Sequence, residues 1–288
     1  MKRSIGLVIG LALLVGACSA GPGGASATAG TTSTPAGGAS AGASGAAAGS
    51  AVDAIKAKGK LVCGTKFDVR SFGFKNPTNN QVEGLDADLC REIAKALGVE
   101  AETVEAVSAN RIPFLLEDKV DVVISTMTAT EERKKEIDFS HIYYVAGQSL
   151  LVKEDSDIAT VDDLNGKTVC SGEGSTSEEN IREMAPEAEL LLFKTYTEAG
   201  QALADGRCEV VSTDNTILFG LAEQFPGTKL VGEPFTEEPL GIGVKKDKDD
   251  LVEAINAELE AMKADGRLTA LYEKWIKPFT GETPEAPF

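Results

Sequence analysis

The sequence has little of the residue types that most often bind zinc, with one histidine, His141, and five cysteines in 288 residues. The cysteine spacing matches no zinc-binding pattern, and one histidine leaves few nitrogen ligands. The glycines of a phosphate loop are also missing, because the segment GKT (166–168) lacks the upstream glycine of a Walker sequence. We therefore expect neither a metal nor another cofactor.

Positive charge is scarce as well. The chain has 28 Lys and Arg against 45 Asp and Glu, which gives a net charge of -17. This balance argues against nucleic acid or an anionic lipid surface as a partner. It also makes any cluster of cations near a candidate site informative.

No apolar run is long enough to cross a bilayer comfortably, which takes about 20 residues. The apolar run at residues 5–17 is shorter and follows Lys2 and Arg3, which is typical of an export signal. Its end, LVGAC, resembles a lipobox, and this resemblance implies cleavage and lipidation at Cys18. We expect a signal peptide at residues 1–17 and a lipid-anchored protein on the extracytoplasmic face of the cell membrane. The alternative is an ordinary signal peptide with an incidental cysteine.

Residues 21–50 contain only Gly, Ala, Ser, Thr and Pro. Such a segment cannot bury enough apolar surface to offset the entropy lost on ordering. Residues 18–50 are therefore predicted to be the lipidated cysteine and a flexible linker. The remaining chain is long enough for one large domain or two small ones.

Strand-like and helix-like segments alternate from residue 51 onward, and a second alternation begins after GQSLLVKED. This order predicts mostly parallel sheets flanked by helices. The segment PLGIGVKKD then returns as a strand, so the chain crosses twice between two units. We predict an α/β fold in which residues 51–148 and 237–288 form lobe 1, residues 149–236 form lobe 2, and two crossover segments act as hinges.

Four cysteines remain once Cys18 is lipidated, and an even number in an exported chain favours disulfides. We expect the pairs Cys63–Cys90 and Cys170–Cys208, one in each half of the fold. The alternative is that some of the four are buried free thiols.

Polar side chains follow the carboxyl ends of the predicted strands, where open parallel sheets bind ligands. Two such edges that face each other would form a cleft with a binding site. Three cations, several hydroxyls and one carboxylate there would suit an acidic amino acid, which carries two carboxylates and one ammonium. The candidate ligand-binding residues are Lys66, Ser108, Arg111, Thr126, Thr128, Arg133, Ser175, Thr176, Tyr196 and Asp214.

Four of these residues also have a purely structural interpretation. Lys66 could be a surface lysine, and Arg133, in EERKK, could be a solvated helix charge. Arg111 could pair with a nearby carboxylate, and Asp214 could cap the following helix. Only their joint placement at strand ends favours a binding site.

The segment GLDADLCREIAKAL resembles the signature of the family 3 extracellular solute-binding proteins, the polar amino-acid receptors of ABC importers. STMTATEERKKEIDFSHIYY resembles that family's segment after the third strand, while NRIP and GSTSE are similar to its glutamate/aspartate-binding branch. The resemblance covers residues 51–288. It implies a type II periplasmic-binding-protein-like fold and a non-enzymatic monomer that delivers L-glutamate or L-aspartate to ABC permease subunits.

The resemblance also implies roles for the residues that bind the backbone of the amino acid. Arg133 matches the arginine that holds the α-carboxylate, with help from Thr128 and Thr176. Asp214 and Thr126 match the groups that receive the α-ammonium. This half of the site would accept any amino acid.

Contacts to the side-chain carboxylate are implied for Lys66, Ser108 and Arg111. Some relatives have arginine at the position of Lys66, and lysine keeps the charge but loses the planar fork. Tyr196 stands where one relative has histidine. His141 stands where many members have proline or a small residue, and we interpret it as a surface or hinge residue.

Other functions stay open at this point. The ligand could be glutamine or another polar amino acid, and the same lobes could serve a sensor module. A periplasmic lyase or lytic enzyme is a further alternative, but it needs a general acid or base in the cleft. Glu173 and Asp214 are the obvious candidates for that role, and no cysteine has a convincing base partner.

Overall fold

The computed structural model describes residues 49–288. The predicted signal peptide, the lipidation site Cys18 and nearly all of the linker lie outside the described residues. Among the helices that are described, none is both long and apolar enough to span a membrane.

Strands and helices alternate along residues 49–288 as the sequence predicts. The strands are β1 (Lys60–Thr65), β2 (Asp68–Val69), β3 (Gly73–Lys75), β4 (Val82–Glu83), β5 (Glu100–Glu105), β6 (Val122–Val123), β7 (Ile137–Ala146), β8 (Gln148–Lys153), β9 (Thr168–Gly172), β10 (Glu189–Phe193), β11 (Val210–Asp214), β12 (Thr228–Val231) and β13 (Glu238–Lys245). The helices are α1 (Ala51–Lys58), α2 (Leu85–Leu97), α3 (Arg111–Leu116), α4 (Glu131–Glu136), α5 (Thr176–Met184), α6 (Tyr196–Ala204), α7 (Asn215–Gln224), α8 (Asp249–Asp265), α9 (Arg267–Trp275) and α10 (Lys277–Thr280).

The first five-stranded sheet has the order β5-β1-β6-β13-β7. Strand β1 pairs in parallel with β5 and β6, and β13 is antiparallel to β6 and β7. Helix α2 buries Leu85, Leu89 and Ile93, because these residues are spaced to share one helical face. Helix α8 buries Leu251 and Ile255 in the same core.

The second five-stranded sheet has the order β10-β9-β11-β8-β12. Strand β9 is parallel to β10 and β11, and β8 is antiparallel to β11 and β12. The chain leaves the first sheet after Ala146 and returns to it at Glu238. We propose that the two sheets are the centres of lobe 1 and lobe 2, with the boundaries predicted above.

Antiparallel pairs are more frequent in both sheets than the alternation of strands and helices indicates. The reason is that β7, β8, β12 and β13 lead into or out of the two crossovers, so they run against the strands beside them. A small sheet of β2, β3 and β4 was not predicted either. Its strands have two or three residues, which is too short for a recognisable alternation.

The two crossovers touch at Gly147. A side-chain Cβ at this position would lie 2.5 Å from Cβ of Pro234 and 3.0 Å from the carbonyl oxygen of Thr236. Only glycine fits between the two chain segments without displacing one of them. The hinge region is therefore closely packed.

The disulfides join the pairs expected from the sequence. Cys63 in β1 is bonded to Cys90 in α2, and Cys170 in β9 is bonded to Cys208, just before β11. All four residues are buried. Each disulfide therefore links elements that pack around a single sheet.

Replacement of both Cys170 and Cys208 by serine is expected to lower the free energy of unfolding by about 4 kcal/mol, because the disulfide closes a long loop in the unfolded chain. The sequence separation of this pair is 38 residues. Urea unfolding of the ligand-free protein would measure the difference. A reduced wild-type sample lacks the Cys63–Cys90 disulfide as well and should be less stable than the double variant. A loss below about 1 kcal/mol in the double variant would contradict the expectation.

Candidate functional site

Charged residues are buried at one place in the described part of the chain. The buried cations are Lys66, Arg111 and Arg133, and the buried carboxylates are Asp86, Asp214 and Glu238. All six belong to strand ends, to loops after strands, or to the first residues of helices beside them. Burial of ions is costly unless they are paired. The six charges therefore mark the candidate site.

Lys66 follows β1 and is 1% exposed. Its Nζ donates a hydrogen bond to Oγ of Ser108 at 2.7 Å and lies 5.1 Å from the ring centroid of Tyr196. Burial and the charge of Arg111 lower the pKa of Lys66 from 10.5 to about 7. The ammonium group has three N–H donors, and a single hydrogen bond is formed within the described residues, so further donors are available.

Arg111 is the first residue of α3, and its guanidinium binds mainly backbone carbonyls. Nε donates to Ser108 O at 3.1 Å, and Nη1 donates to Ser125 O at 3.0 Å and to Thr126 O at 2.7 Å. Nη2 approaches Gly174 O at 3.5 Å. Burial, followed by the charge of Arg133, lowers the pKa of Arg111. Arg111 thus holds the loops after two strands of lobe 1 together.

Thr126 has a left-handed backbone with φ of 44°. This conformation is strained for a β-branched residue, and such strain is typical of functional sites. The Thr126 N–H donates to Oδ2 of Asp86 at 2.9 Å, and Tyr143 donates to Oδ1 of Asp86 at 2.8 Å. Burial raises the pKa of Asp86 from 3.8 to about 6. Asp86 and Arg111 therefore hold the N–H and the carbonyl of Thr126 from opposite sides.

Arg133 lies beside the loop that leads into helix α5. Arg133 Nη1 donates to Thr128 O at 2.9 Å, and Nη2 approaches Gly174 O in lobe 2 at 3.4 Å. Ser175 caps α5 by accepting from the Glu178 N–H, while its own hydroxyl donates to Gly172 O. The free N–H groups at the start of α5 favour an anion. The Ser175 hydroxyl thus fixes the start of the helix, and its contact with a ligand stays a prediction.

Gly174 lets the two lobes approach closely. It has a positive φ of 72°, and a Cβ there would lie 2.8 Å from Cα of Ala109 in lobe 1. A larger residue would be strained and would also collide with Ala109. This close contact brings the loop before α5 against Arg111 and Arg133.

Glu238 connects the two lobes at the first residue of β13. Its Oε2 accepts hydrogen bonds from Thr128 Oγ1 and Thr176 Oγ1, both at 2.8 Å. Its Oε1 accepts from Asn180 Nδ2 at 3.0 Å and from Thr236 Oγ1 at 2.8 Å. Oγ1 of Thr128 and Oγ1 of Thr176 are 3.3 Å apart.

Asp214 is the last residue of β11 and is 5% exposed. It occupies the N-cap position of α7 without a side-chain capping bond, and its carboxylate has no hydrogen-bond partner within residues 49–288. Burial, followed by the charge of Glu238, raises the pKa of Asp214 from 3.8 to about 7. A buried carboxylate without a donor is well suited to accept an ammonium group.

Helix α6 meets lobe 1 at its first turn. Oδ2 of Asp68 accepts from the N–H of Tyr196 at 2.6 Å and more weakly from that of Thr197 at 3.4 Å. This places a carboxylate at the positive end of the helix. Oδ1 of Asp68 is buried and has no partner in the described residues, so a further acceptor lies near Tyr196 and Lys66.

A cavity of about 380 Å³ opens beside this cluster and is lined by Ser108, Arg111, Arg133 and Gly174, among others. This volume is in the range typical of small-molecule sites. A larger groove of about 770 Å³ runs along β7 and α8 and has none of the six buried charges in its lining. His141 lines that groove, where its ring stacks on Phe288 with centroids 5.2 Å apart.

Of the ten predicted residues, Ser108, Arg111 and Arg133 line the cavity. Lys66, Thr126, Thr128 and Thr176 are hydrogen-bonded to Ser108 or to one of the six buried charges. Tyr196 lies beside Lys66, Asp214 is one of the six buried charges, and Ser175 is buried at the start of α5. Contact of these residues with a ligand stays a prediction. Three residues of the cluster were missed, namely Asp68, Asp86 and Glu238. Asp86 lies within the motif GLDADLC, where it could have been noticed as a carboxylate on the apolar side of a helix. Glu238 follows Glu237 at the start of a strand, and alternation requires one of the two to face inward. In the described residues no group of three or more His, Cys, Asp or Glu could hold a metal.

The chain is similar to known proteins over most of the described residues. A model of the bacterial extracellular solute-binding proteins, family 3, matches residues 61–278. The ABC transporter glutamine-binding protein GlnH of Bacillus subtilis is 50% identical over 228 residues, which are 78% of this chain and 84% of that protein. The glutamate-binding protein GluB of Corynebacterium glutamicum is 36% identical over 228 residues, 74% of this chain and 77% of that protein.

Among solved structures, an ancestral arginine-binding protein bound to glutamine is 44% identical and superposes with a TM-score of 0.73. The match covers 76% of this chain and 98% of the ancestral protein. The predicted two-lobed α/β fold of the type II periplasmic-binding-protein-like class is thereby confirmed. The similarity extends to proteins with different amino-acid ligands and does not separate a glutamate/aspartate branch from the others.

Replacement of Asp214 by asparagine is expected to change how stability depends on pH. The folded carboxyl has a raised pKa of about 7 against an ordinary value of 3.8. Between these values the folded state holds a proton that the unfolded state lacks, so this group's contribution to stability falls as the pH rises. The unfolding free energy of the wild type, relative to Asp214→Asn, should therefore decrease from pH 5 to pH 7.

Urea unfolding of the ligand-free proteins at several pH values would measure this difference. Asp157→Asn is a matched control, because Asp157 is an exposed carboxylate in the same lobe. The control should show a flat difference. A flat or rising difference for Asp214→Asn would show that its carboxyl is not perturbed as described.

Proposed function

Because the chain belongs to the bacterial extracellular solute-binding proteins of family 3, we propose that it is an amino-acid receptor of an ABC importer and that its ligand is glutamine. The receptor would bind the amino acid between the two lobes and deliver it to the permease subunits. The observation that carries the choice of ligand is the equality of buried positive and negative charge in the site.

The buried charges balance without an acidic ligand. Three buried cations face three buried carboxylates in the described residues. A zwitterionic amino acid with a neutral side chain adds no net charge when the cleft closes. An acidic amino acid would add one uncompensated negative charge in a desolvated site, which is costly. The balance therefore favours a neutral polar side chain.

The expectation of an acidic ligand rested on three cations and one carboxylate. It did not count Asp86, which lies beside Thr126, or Glu238, which lies between Thr128 and Thr176. With these two carboxylates included, the positive excess disappears, and the half-buried carboxylate of Asp68 beside Lys66 adds further negative charge. The similarity to the glutamine-binding protein of Bacillus subtilis supports the same choice.

The backbone end of the ligand would be held by Arg133, the start of α5 and Asp214, whereas the hydroxyl groups of Thr128 and Thr176 donate to Glu238. Arg133 and the N-terminus of α5 provide donors for an α-carboxylate. Asp214 is a buried acceptor without a hydrogen-bond partner in residues 49–288, so it is suited to an α-ammonium. This arrangement is common to all amino acids, which explains why it does not select the side chain.

The side-chain end combines donors and acceptors. Lys66 has N–H donors that could serve the carbonyl oxygen of an amide, and Ser108 holds the lysine in place at 2.7 Å. The unpaired Oδ1 of Asp68 could accept from an amide NH₂ but would repel a carboxylate. A carboxamide matches both types of group.

Glutamate is the second candidate. Lys66 is positive whenever it is protonated, and its pKa of about 7 would rise beside a ligand carboxylate. The similarity to the glutamate-binding protein of Corynebacterium glutamicum also supports this ligand. A role for Arg111 in contacting a side-chain carboxylate has less support, because its guanidinium binds backbone carbonyls.

We further propose that the receptor is a monomer anchored by lipid at Cys18, which would keep it near the permease after export. A sensor that uses the same lobes would bind the same ligand. Genomic neighbours separate the two roles, because permease and ATPase genes argue for import.

Isothermal titration calorimetry against glutamine, glutamate, aspartate and arginine tests the proposal. Glutamine should bind most tightly, and glutamate should bind at least about tenfold more weakly, since an unbalanced buried charge costs more than 1.4 kcal/mol. Tighter binding of glutamate would restore the acidic assignment. The ligand should be recovered unchanged after the titration, and any product would indicate an enzyme.

Arg133→Met provides the negative control for this panel. Loss of the guanidinium leaves the α-carboxylate unpaired, and such a loss costs about 2–5 kcal/mol, so every amino acid should bind at least about thirtyfold more weakly. Lys135→Met is the matched variant, because Lys135 is an exposed cation on the same helix. It should bind like the wild type.

Asp86→Asn tests the charge balance directly. The variant removes one buried carboxylate, while the asparagine oxygen can still accept from the Thr126 N–H. The site then has one excess cation, and the affinity for glutamate relative to glutamine should rise about tenfold at pH 7.5. Titration with both ligands gives the ratio.

Asp88→Asn is the matched control, because Asp88 lies on the same helix but pairs with Lys274 and Arg91 outside the cluster. It should leave the ratio unchanged. An unchanged ratio in Asp86→Asn as well would argue against the balance as the selective factor.

A further inference from the structure

Two adjacent glutamates at the second crossover have opposite environments. Glu237 is exposed, whereas Glu238, the first residue of β13, is 2% exposed. The strand alternation places successive side chains on opposite sides. The two residues are of the same type and are adjacent in the sequence. A substitution at Glu237 is therefore a matched control for the same substitution at Glu238.

The carboxylate of Glu238 is fully occupied by hydrogen bonds. Its Oε2 accepts hydrogen bonds from the hydroxyl groups of Thr128 and Thr176 at 2.8 Å each. Its Oε1 accepts hydrogen bonds from Asn180 Nδ2 at 3.0 Å and from the hydroxyl group of Thr236 at 2.8 Å. A carboxylate accepts but does not donate. All four donors therefore point at Glu238.

The orientation of the amide groups beside Glu238 is determined by a backbone carbonyl. Gln148 Nε2 donates to the carbonyl oxygen of Ser177 at 3.2 Å, so Gln148 Oε1 must be the acceptor for Asn180 Nδ2 at 2.8 Å. The same Asn180 nitrogen then donates to Glu238. Oε1 of Glu238 therefore accepts from Asn180, and Oε2 of Glu238 accepts from the two threonines.

The two threonines belong to different lobes. Thr128 follows β6 in lobe 1, and Thr176 begins α5 in lobe 2. If the lobes separate, Glu238 cannot keep both hydroxyl groups within hydrogen-bond distance. We propose that Glu238 is a positioning residue that joins the lobes in the closed state and turns the hydroxyl protons of Thr128 and Thr176 toward itself.

This proposal rests on the proposed function and sharpens its description of the carboxylate end. Each hydroxyl group has one proton and donates it in a hydrogen bond to Glu238. Neither threonine can therefore donate a hydrogen bond to the α-carboxylate of a ligand. Arg133 and backbone N–H groups are left as the donors there. The two hydroxyl oxygens face the site as acceptors only.

Replacement of Glu238 by methionine keeps the length of the side chain and removes both acceptor oxygens. Four donors then lack their acceptor in the closed form, whereas in an open form they can bind water. Glutamine should bind at least tenfold more weakly to Glu238→Met than to Glu237→Met, as measured by calorimetry. Small-angle scattering with saturating glutamine should show a larger radius of gyration for Glu238→Met.

A double-mutant cycle with Thr176→Val separates positioning from a general structural role. If Glu238 acts through Thr176, the valine substitution weakens binding in the Glu237→Met background but has a much smaller effect in Glu238→Met. Equal effects in both backgrounds would overturn the proposal. The proposal would also be overturned if Glu238→Met bound glutamine within twofold of Glu237→Met and had the same radius of gyration in its presence.

The stability of the ligand-free variants is measured beside the binding. If Glu238→Met does not fold, Glu238→Gln replaces it in the same cycle and is judged by the same coupling. If the wild type and Glu237→Met bind no amino acid at all, the proposed function fails, and the role of Glu238 fails with it. If they bind glutamine and the cycle shows no coupling, only the role of Glu238 is wrong.

Discussion

The balance between three buried cations and three buried carboxylates is the constraint on which the site depends. None of the six charges could be buried alone, because the cost of desolvating an ion exceeds what a single hydrogen bond returns. Each therefore requires hydrogen bonds or opposite charges from another element, which for Asp214 are the charges of Arg111, Lys66 and Arg133. The cost of burial is visible at Lys66 and Asp214. Burial lowers the pKa of Lys66 to about 7 and raises the pKa of Asp214 to about 7. The two sheets, the crossovers and the helix ends are arranged so that these groups meet.

Much of the site could be predicted from the sequence, because its residues follow strands whose carboxyl ends meet. Lys66, Arg111 and Arg133 were recognised in this way, and the structure buries all three. Asp86 and Glu238 were missed for a physical reason. A carboxylate next to other charged residues in the sequence normally faces solvent, and only the tertiary packing shows that these two face inward. The buried charge of the site, and with it the choice of ligand, depends on these two carboxylates.

The fold could be predicted to a similar extent. The apolar stripe of α2 and the two alternations of strands and helices identified the elements around both sheets. The long strand β7 was not identified, because its buried residues do not alternate and its register with β13 shifts near Gly241. Shifts of this kind move side chains from one face to the other and hide the period of two. The strands at the crossovers are set by the path of the chain, which local patterns do not contain.

The pairing of β7 with β13 has a consequence for how this chain could have been assembled. Ala146 and Glu238 are partners across the ladder, so the points where the chain departs for lobe 2 and comes back are about 5 Å apart. Both chain ends of the described part lie in lobe 1. Lobe 2 is thus topologically an insert in a loop of an otherwise continuous domain, and it is one unbroken segment of the chain. The contacts proposed for lobe 2 at the start of α5 and at Asp214 hold the backbone end of the amino acid, so exchange of this insert would leave the side-chain contacts at Lys66 and Ser108 unchanged.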